Sequence, residues 1–254
     1  MARFRVGVQL QPQGTTVDDL RRGWRAADEL GVDSLWLWDH FFPLYGDPDG
    51  AHFEAWTLLA AMAVETQHAR IGTLVTGNSY RNPDLLTDMA RTVDHLSGGR
   101  AVLGIGAGWA ERDYDEYGYE FGTPGSRLRD LEAALQRIRE RRARLVPPPL
   151  GDLPILIGGG GEKVTLRLVA EHADAWNYFP PLDNWARKNA LLDEWCAKVG
   201  REPSAIERTV HLSAPPSADE VDAWLDAGAT HLVVGRSHPF DLEPIGRLMS
   251  LAAG

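Results

Sequence analysis

Cysteine and lysine are both scarce in this chain. A single cysteine, Cys196, excludes an intramolecular disulfide and is typical of a reducing, cytoplasmic environment. The lysines are Lys163, Lys188 and Lys198 only, whereas arginine is plentiful. A Schiff-base aldolase needs a lysine at a strand end. Lys163 is the only lysine near one, and it falls inside a predicted helix, so that chemistry is disfavoured.

Long apolar runs and excess positive charge are also missing. The longest apolar run, Leu58–Val64, is too short to cross a bilayer, and Met1–Arg5 lacks the apolar core of a signal peptide. The 26 basic residues are outnumbered by 36 acidic ones, which gives a net charge of −10. This balance argues against a nucleic-acid partner and against an anionic membrane surface. We therefore expect a soluble cytoplasmic protein.

Apolar runs typical of buried strands alternate with helical patterns eight times along the chain. The predicted strands are Arg5–Leu10, Ser34–His40, Arg70–Thr76, Arg100–Ile105, Ile155–Ile157, Ala173–Asn177, Arg208–Leu212 and His231–Val234. Eight strand–helix units in 254 residues match the length of a (β/α)₈ barrel. No low-complexity linker or shift in composition divides the chain. The prediction is one α/β domain over residues 1–254, a TIM barrel. A doubly wound open sheet is less favoured because it seldom repeats the unit eight times.

Four consecutive glycines, Gly158–Gly161, follow the predicted strand Ile155–Ile157, and a helical pattern begins at Glu162. Glycines let a backbone approach a ligand closely, and the unpaired N–H groups of a first helical turn favour a phosphate. The alternative is a tight turn without a ligand. Four glycines at a strand-to-helix junction favour the phosphate site.

Function in a (β/α)₈ barrel lies at the carboxyl ends of the strands. Asp39 and His40 end the second strand, and histidine with a nearby carboxylate suits proton transfer. In the alternative interpretation, which is purely structural, Asp39 caps a loop and His40 has no functional role. Small or polar residues also end the other strands: Gln9, Gln11, Thr76–Asn78, Gly106–Gly108, Trp176–Asn177, His211, Ser213 and Gly235–Arg236.

Two other site chemistries find no support in the residues. The chain has no His-x-His on the first strand and no HExxH motif, so no metal site is predicted. A glycosidase would need carboxylates at two strand ends, and only Asp39 qualifies clearly.

Several linked motifs carry a family resemblance: SLWLWDH, GTLVTGNSYRNP, SGGRAVLGIGAGW and PILIGGGGEKVTLRLVAEHADAWN. In order and spacing, from about Gly7 to Pro203, the chain resembles the luciferase-like flavin monooxygenase superfamily, and most closely its coenzyme F420-dependent oxidoreductases. The resemblance implies a (β/α)₈ barrel with a deazaflavin or FMN across its mouth. It also implies hydride transfer between F420 and a small organic substrate. The alternatives are an FMN-dependent monooxygenase, or a protein of this fold that binds the cofactor without turnover.

The resemblance also implies roles for individual residues. Gly158, Gly159, Gly160 and Gly161 would bind the cofactor phosphate. Gly106, Ala107 and Gly108, with Thr76, Gly77 and Asn78, would lie along the ring and ribityl chain. A non-proline cis peptide is expected at Leu74–Val75, against the ring. His40 would be the catalytic proton donor or acceptor, Asp39 would orient it or contact the ring, and Trp176 is a further expected cofactor contact.

Two further features bear on the cofactor and the pocket. F420 ends in an oligoglutamate tail, for which Arg81, Arg112, Arg127 and Arg129 are the candidate cations. Relatives carry an insertion between the long helix and strand five, where this chain has only Val146–Leu153. We therefore expect an open mouth, or one completed by a second subunit in a homodimer. An open mouth favours F420 over FMN, because oxygen chemistry on a flavin needs water excluded.

Overall fold

The structure is a computed structural model that describes residues 2–254. Eight parallel strands close into a barrel in chain order. They are β1 (Arg5–Leu10), β2 (Ser34–Asp39), β3 (Arg70–Gly77), β4 (Ala101–Gly106), β5 (Ile155–Gly158), β6 (Ala175–Tyr178), β7 (Glu207–Leu212) and β8 (His231–Arg236). The barrel closes through β1 and β8, which pair from Arg5↔His231 to Leu10↔Arg236. The predicted (β/α)₈ fold is confirmed.

Nine α-helices surround the barrel within residues 2–254. They are α1 (Val17–Glu29), α2 (Ala55–Glu65), α3 (Pro83–Leu96), α4 (Glu111–Tyr117), α5 (Pro124–Arg142), α6 (Thr165–His172), α7 (Leu182–Val199), α8 (Ala218–Asp226) and α9 (Glu243–Ala253). Local sequence explains where several begin. Asn82 caps α3 by accepting from two backbone N–H groups, and Pro83 occupies the first helical turn. Thr123 and Ser126 form a capping box at the start of α5.

Two helices differ from the prediction. Helix α4 was not predicted, because its residues, ERDYDEY, lack a periodic apolar face. Helix α6 begins at Thr165 rather than at Glu162. The residues between Gly161 and Thr165 therefore form a turn, and this turn separates the glycines from the helix.

The inside of the barrel is filled with side chains. Trp36, Leu74, Val102, Leu156, Ala175 and Val233 form an apolar cluster there, and a larger apolar layer separates the strands from the helices. The barrel is therefore a packed core without a pore, and ligands reach it only at its ends. Within residues 2–254, no helix combines the length and the apolar character that a bilayer-spanning segment needs.

The short segment before β5, residues 143–154, lies at the amino-terminal end of the barrel. The backbone N–H groups of Leu150 and Gly151 donate to Oδ2 of Asp94, near the end of α3, at 2.7 and 3.0 Å. Arg91 also donates to the carbonyl oxygen of Pro147, at 3.0 Å. The expectation that this segment sets how open the mouth is was therefore wrong, because its contacts lie at the opposite end.

Candidate active site

A cavity of about 600 Å³ opens at the carboxyl ends of the strands. Several residues proposed from the sequence line it: His40, Leu74–Gly77, Gly106–Gly108, Gly158 and Gly159. Five others do not line it: Asp39, Asn78, Gly160, Gly161 and Trp176. Most of the predicted residues thus come together at one cavity. The others lie outside its lining.

A second cavity, of about 650 Å³, lies at the opposite end of the barrel, around Ser34, Trp36 and His231. Salt bridges border it, including Arg208 with Asp193 at 2.6 Å and Arg5 with Glu207 at 2.9 Å. Active sites of (β/α)₈ barrels lie at the carboxyl end of the strands. The cavity at the carboxyl end, called the mouth below, is therefore the candidate active site.

The end of β3 forms one wall of the mouth. The Leu74–Val75 peptide bond is cis, as predicted from the resemblance. Gln9 donates from Nε2 to the Leu74 carbonyl oxygen at 2.8 Å. A Cβ atom on Gly106 or Gly158 would lie 2.9 or 3.0 Å from the methyl groups of Val75. These two glycines are therefore required by the packing of Val75, whatever ligand the mouth binds.

The carbonyl groups of the glycine turn, residues 158–164, are held by the protein. Trp176 donates from Nε1 to the Gly159 oxygen at 2.8 Å, and Lys188 donates from Nζ to the Gly160 oxygen at 2.6 Å. The Gly161 oxygen accepts from the Leu166 N–H at 3.0 Å. In a trans peptide the C=O and the following N–H point in opposite directions. The N–H groups of residues 160–162 thus point away from these contacts, and none has a protein acceptor in the part of the chain described.

The backbone donors available to an anion differ from those that the sequence predicted. Because α6 begins only at Thr165, the unpaired donors belong to a glycine-rich turn rather than to the first turn of a helix. Successive backbone N–H groups in such a turn form a concavity that binds anions. Trp176 is fully buried and lies behind the turn, so it supports the turn rather than lining the cavity.

His40, directly after β2, lies against a carboxylate from α4. Nδ1 of His40 is 2.6 Å from Oδ2 of Asp113. Asp113 also accepts from the Tyr80 hydroxyl at 2.7 Å and from the Phe41 N–H at 3.0 Å. Burial acts to raise the pKa of Asp113, but the hydrogen bonds from His40, Tyr80 and Phe41 outweigh it and leave that pKa below its usual value. Asp113 is therefore ionised and accepts the Nδ1 proton, so Nε2 is the nitrogen available for proton transfer.

Asp39 does not orient His40, contrary to one of its two expected roles. It is fully buried and accepts from Arg81 at two positions, at 2.6 and 3.1 Å. Arg81 also contacts Glu54 at 2.5 Å. Burial acts to lower the pKa of Arg81, but Asp39 and Glu54 raise it above its usual value. Arg81 is therefore charged and forms ion pairs with two carboxylates.

The other arginines proposed for an acidic tail differ in their availability. Arg127 is buried and donates to the carbonyl oxygens of Gly108 and Phe121, at 3.2 and 2.9 Å. Arg112 is partly exposed and pairs with Asp49 at 2.6 Å. Arg129 is exposed, and no ion pair of Arg129 is present within residues 2–254. Arg112 and Arg129 therefore remain candidates for an acidic tail, whereas Arg81 and Arg127 have structural partners.

Sequence reasoning missed three residues of this site. Asp113 lies on the helix that had no apolar periodicity, and nothing in the sequence connects it with His40. Tyr80 contacts Asp113, and Lys188 contacts Gly160. The two residues of each pair lie far apart in the sequence. The run GWAERDYDEYG after β4, which is rich in acidic and aromatic residues, was the one available signal for Asp113.

Comparisons with known proteins agree with the fold. The chain is 29% identical over 273 residues to a phthiodiolone/phenolphthiodiolone dimycocerosates ketoreductase of Mycobacterium sp. (strain JLS), covering 89% of this chain and 70% of the relative. An F420-dependent secondary alcohol dehydrogenase, solved with an F420–acetone adduct, superimposes with a TM-score of 0.89 at 17% identity over 99% of each chain. The oxygenating component of 3,6-diketocamphane monooxygenase from Pseudomonas putida, solved with FMN, superimposes with a TM-score of 0.79 at 14% identity, covering 100% of this chain and 97% of the other.

A family model provides the assignment. The model described as luciferase-like monooxygenase matches residues 1–246, nearly the whole chain. The chain therefore belongs to the luciferase-like monooxygenase family of enzymes.

Proposed function

We propose that this protein is an oxidoreductase that transfers a hydride between coenzyme F420 and a small organic substrate at the mouth of the barrel. One observation carries the proposal: a carboxylate-bound histidine, His40, lines the same cavity as Gly158 and Gly159, and the unpaired N–H groups of residues 160–162 follow directly in the same turn. The turn suits a phosphate, and the histidine suits a proton transfer that accompanies hydride transfer. The family assignment agrees with this reading.

The residues present fit a flavin-type cofactor. The glycine turn would hold the phosphate through the N–H groups of residues 160–162, which have no acceptor in the described chain. Val75, Gly106 and Gly108 line the cavity and would lie along a flat ring, and Thr76 and Gly77 would flank it. When bound, a deazaflavin supplies a carbon that accepts or donates a hydride.

The protein's own part in the reaction is proton transfer and positioning. Nε2 of His40 takes the hydroxyl proton of an alcohol that is oxidised, or returns a proton to the oxygen of a carbonyl that is reduced. Asp113 holds the imidazole through Nδ1, and the Tyr80 hydroxyl in turn holds Asp113. This chain of contacts orients Nε2 and stabilises the imidazolium when His40 carries the proton.

Two considerations favour F420 over FMN. The mouth carries exposed aromatic side chains and is open to water, whereas oxygen chemistry on a flavin needs a closed site. A deazaflavin hardly reacts with oxygen, so an open mouth suits it. The structural relative that superimposes with a TM-score of 0.89 is itself F420-dependent. FMN remains the alternative, because the glycine turn would bind either phosphate.

The test is a side-by-side titration of the purified protein with F420 and with FMN, followed by hydride-transfer assays on the ligand that binds. We expect F420 to bind more tightly. His40→Ala should keep cofactor affinity within a few-fold and lower turnover by roughly 10²–10⁴, the range that a positioned acid–base residue supplies. If FMN binds and F420 does not, the choice of cofactor is wrong. Binding without turnover of any alcohol or carbonyl compound would identify a cofactor-holding protein instead.

A second experiment tests whether Arg112 and Arg129 bind the acidic tail of F420. Replacing both Arg112 and Arg129 with Ala should weaken F420 in a salt-dependent way, because the interactions of exposed charges with the acidic tail are screened by ions. FMN lacks that tail, so its affinity should not change. An equal loss of affinity for both ligands would show that these arginines act on the fold rather than on the tail.

A further inference from the structure

The mouth is unusual in this protein because no Asp, Glu, Lys or Arg lines it. Charged residues make up 24% of the whole sequence. Those closest to the mouth are held by other protein groups: Asp39 by Arg81, Asp113 by His40 and Tyr80, and Arg127 by two carbonyl oxygens. The polar groups that do line the mouth are neutral amides and hydroxyls together with two histidines.

The second histidine, His211 at the end of β7, adds no positive charge near neutral pH. Burial lowers its pKa to about 4. His211 lines the mouth, and its Nε2 atom is buried without a hydrogen-bond partner within residues 2–254. His211 therefore adds a neutral side chain, rather than a cation, to the lining.

Three aromatic side chains at the mouth are largely exposed to water. Tyr45 follows β2, Trp109 follows β4 and Phe179 follows β6, with 66%, 66% and 53% of their surface exposed. The Trp109 ring lies 5.5 Å from that of His40, and the Phe179 ring lies 5.5 Å from that of His211. Apolar surface left exposed around a concave site is typical of ligand recognition. Here that surface adjoins the proposed proton-transfer residue.

These features decide which substrates the mouth favours. Within residues 2–254, the glycine turn is the one anion-binding element of the mouth, and the proposed function assigns it to the cofactor phosphate. Elsewhere in the mouth, a carboxylate or phosphate would lose hydration without gaining a cationic partner, which is costly. A hydrocarbon group would instead be stabilised by burial against the aromatic rings. Its neutral oxygen could still hydrogen-bond to His40. The lining therefore selects against charge on the substrate itself.

From this lining we infer that the substrate is a neutral, largely apolar ketone or secondary alcohol, with an aryl or branched alkyl group against Trp109, Tyr45 and Phe179. This inference rests on the proposed function. In the oxidation direction, the carbinol C–H bond would break and its electron pair would leave as a hydride, for which a bound deazaflavin would supply the acceptor. The hydroxyl proton passes to Nε2 of His40, and the C=O bond forms. Reduction of the ketone reverses each transfer.

A pair of matched ligands tests the inference without requiring turnover. Acetophenone and 4-acetylbenzoate share the aryl ketone and differ by one carboxylate. We would titrate each into the protein in the presence of cofactor or of inorganic phosphate, either of which would occupy the glycine turn, by calorimetry and by tryptophan fluorescence. Acetophenone should bind at least about tenfold more tightly, because the carboxylate must be desolvated without a partner. Equal or tighter binding of 4-acetylbenzoate would overturn the inference.

Variants test whether acetophenone binds against the aromatic side chains of the mouth. Trp109→Ala should weaken acetophenone binding about fivefold or more, and Trp109→Phe should restore most of it, since a ring is retained. Leu150→Ala is the matched control, because Leu150 is 62% exposed but lies at the other end of the barrel. If Trp109→Ala instead dissociates a dimer and leaves ketone affinity unchanged, the aromatic surface is a subunit interface and the inference fails.

Turnover assays separate this inference from the proposed function. With cofactor bound, kcat/KM should be higher for 1-phenylethanol than for lactate or a sugar phosphate. Efficient hydride transfer from the charged compounds would support the proposed function and overturn the substrate class. Binding of acetophenone that depends on Trp109, without hydride transfer from any compound, would overturn the proposed function and support the ligand class.

Discussion

His40 and Asp113 form a hydrogen bond of 2.6 Å although they lie 73 positions apart in the sequence. His40 directly follows β2 and Asp113 lies on α4, so the bond joins the segments that follow β2 and β4 at the same end of the barrel. Asp113 does not itself line the mouth, whereas His40 and Tyr80, which it contacts, do. Its effect on the proposed proton transfer must therefore pass through the imidazole.

Asp113→Asn tests that relationship. An amide can donate a hydrogen bond to Nδ1, which would favour the wrong tautomer of His40. We expect kcat to fall about 10- to 100-fold, with KM and cofactor affinity changed little, as for other groups that orient a reacting residue. Tyr80→Phe is the control, because it removes a different hydrogen bond to Asp113 and keeps the carboxylate–imidazole pair. Equal losses in the two variants would contradict an orienting role.

Lys188→Met should weaken the binding of phosphate-bearing cofactors. Without its Nζ, the Gly160 carbonyl is no longer fixed, and the N–H of residue 161 loses its orientation. One charge-assisted hydrogen bond corresponds to about a tenfold change in affinity. The phosphate-free ribityl deazaflavin should bind with nearly unchanged affinity. Titration of the two ligands measures the difference.

Arg187→Met is the matched control for that variant. Arg187 is the neighbouring cation on α7, and it contacts the Glu162 side chain rather than a carbonyl of the turn. If both variants lose the same affinity, nearby positive charge matters and the orientation of the turn does not. Direct substitution of the turn is less informative, because a Cβ on Gly160 would lie 2.4 Å from the Tyr178 ring.

Arg81→Met should destabilise the fold, because it leaves the fully buried Asp39 without a partner. Removal of one member of a buried ion pair costs about 3–5 kcal/mol. The double variant Arg81→Met/Asp39→Asn should recover part of this loss, since no buried charge remains unpaired. Urea unfolding of the wild type, both single variants and the double variant measures the coupling. Strictly additive effects would show that the pair is not coupled.

Stability should decrease as the pH falls from about 6.5 towards 4, and His211 should account for part of the loss. Its pKa is about 4 in the folded protein and about 6.5 in an unfolded chain. Between these values the unfolded state binds more protons, so protonation favours unfolding. His211→Gln should show a shallower decline in unfolding free energy over that interval. His52, whose pKa burial also lowers to about 4, should supply part of the slope that remains. An unchanged slope in the variant would contradict this assignment.

The strands could be predicted from sequence because each is a short apolar run between turn residues. The β5 run Ile155–Ile157, for example, is buried on both faces of the sheet. The Leu74–Val75 cis bond followed from resemblance alone, since nothing in the local residues requires it. Local patterns thus predicted the barrel and the end at which its site lies.

The partners within the site could not be predicted, because they depend on contacts between distant segments. Asp39 and His40 are adjacent in sequence, yet their side chains pair with Arg81 and Asp113 respectively. Neighbouring residues on a strand point to opposite faces, which allows such different partners. Helix α4, which carries Asp113, could not be predicted from apolar periodicity because it is short and polar, and the acidic and aromatic run around Asp113 does not indicate its partner. The predicted start of α6 was wrong because the three residues after the glycines resemble a helical turn.

The two halves of the barrel divide the candidate site between them. Residues before 143 supply His40, Asp113 and Val75, whereas residues after 154 supply the glycine turn, Lys188 and His211. The connecting segment lies at the far end from the mouth and includes the exposed residues Val146 and Leu150. A chain cut there would yield one fragment that carries His40 and Asp113 and another that carries the glycine turn. Only their reassociation would rebuild a complete site, which makes this protein a natural candidate for a split reporter.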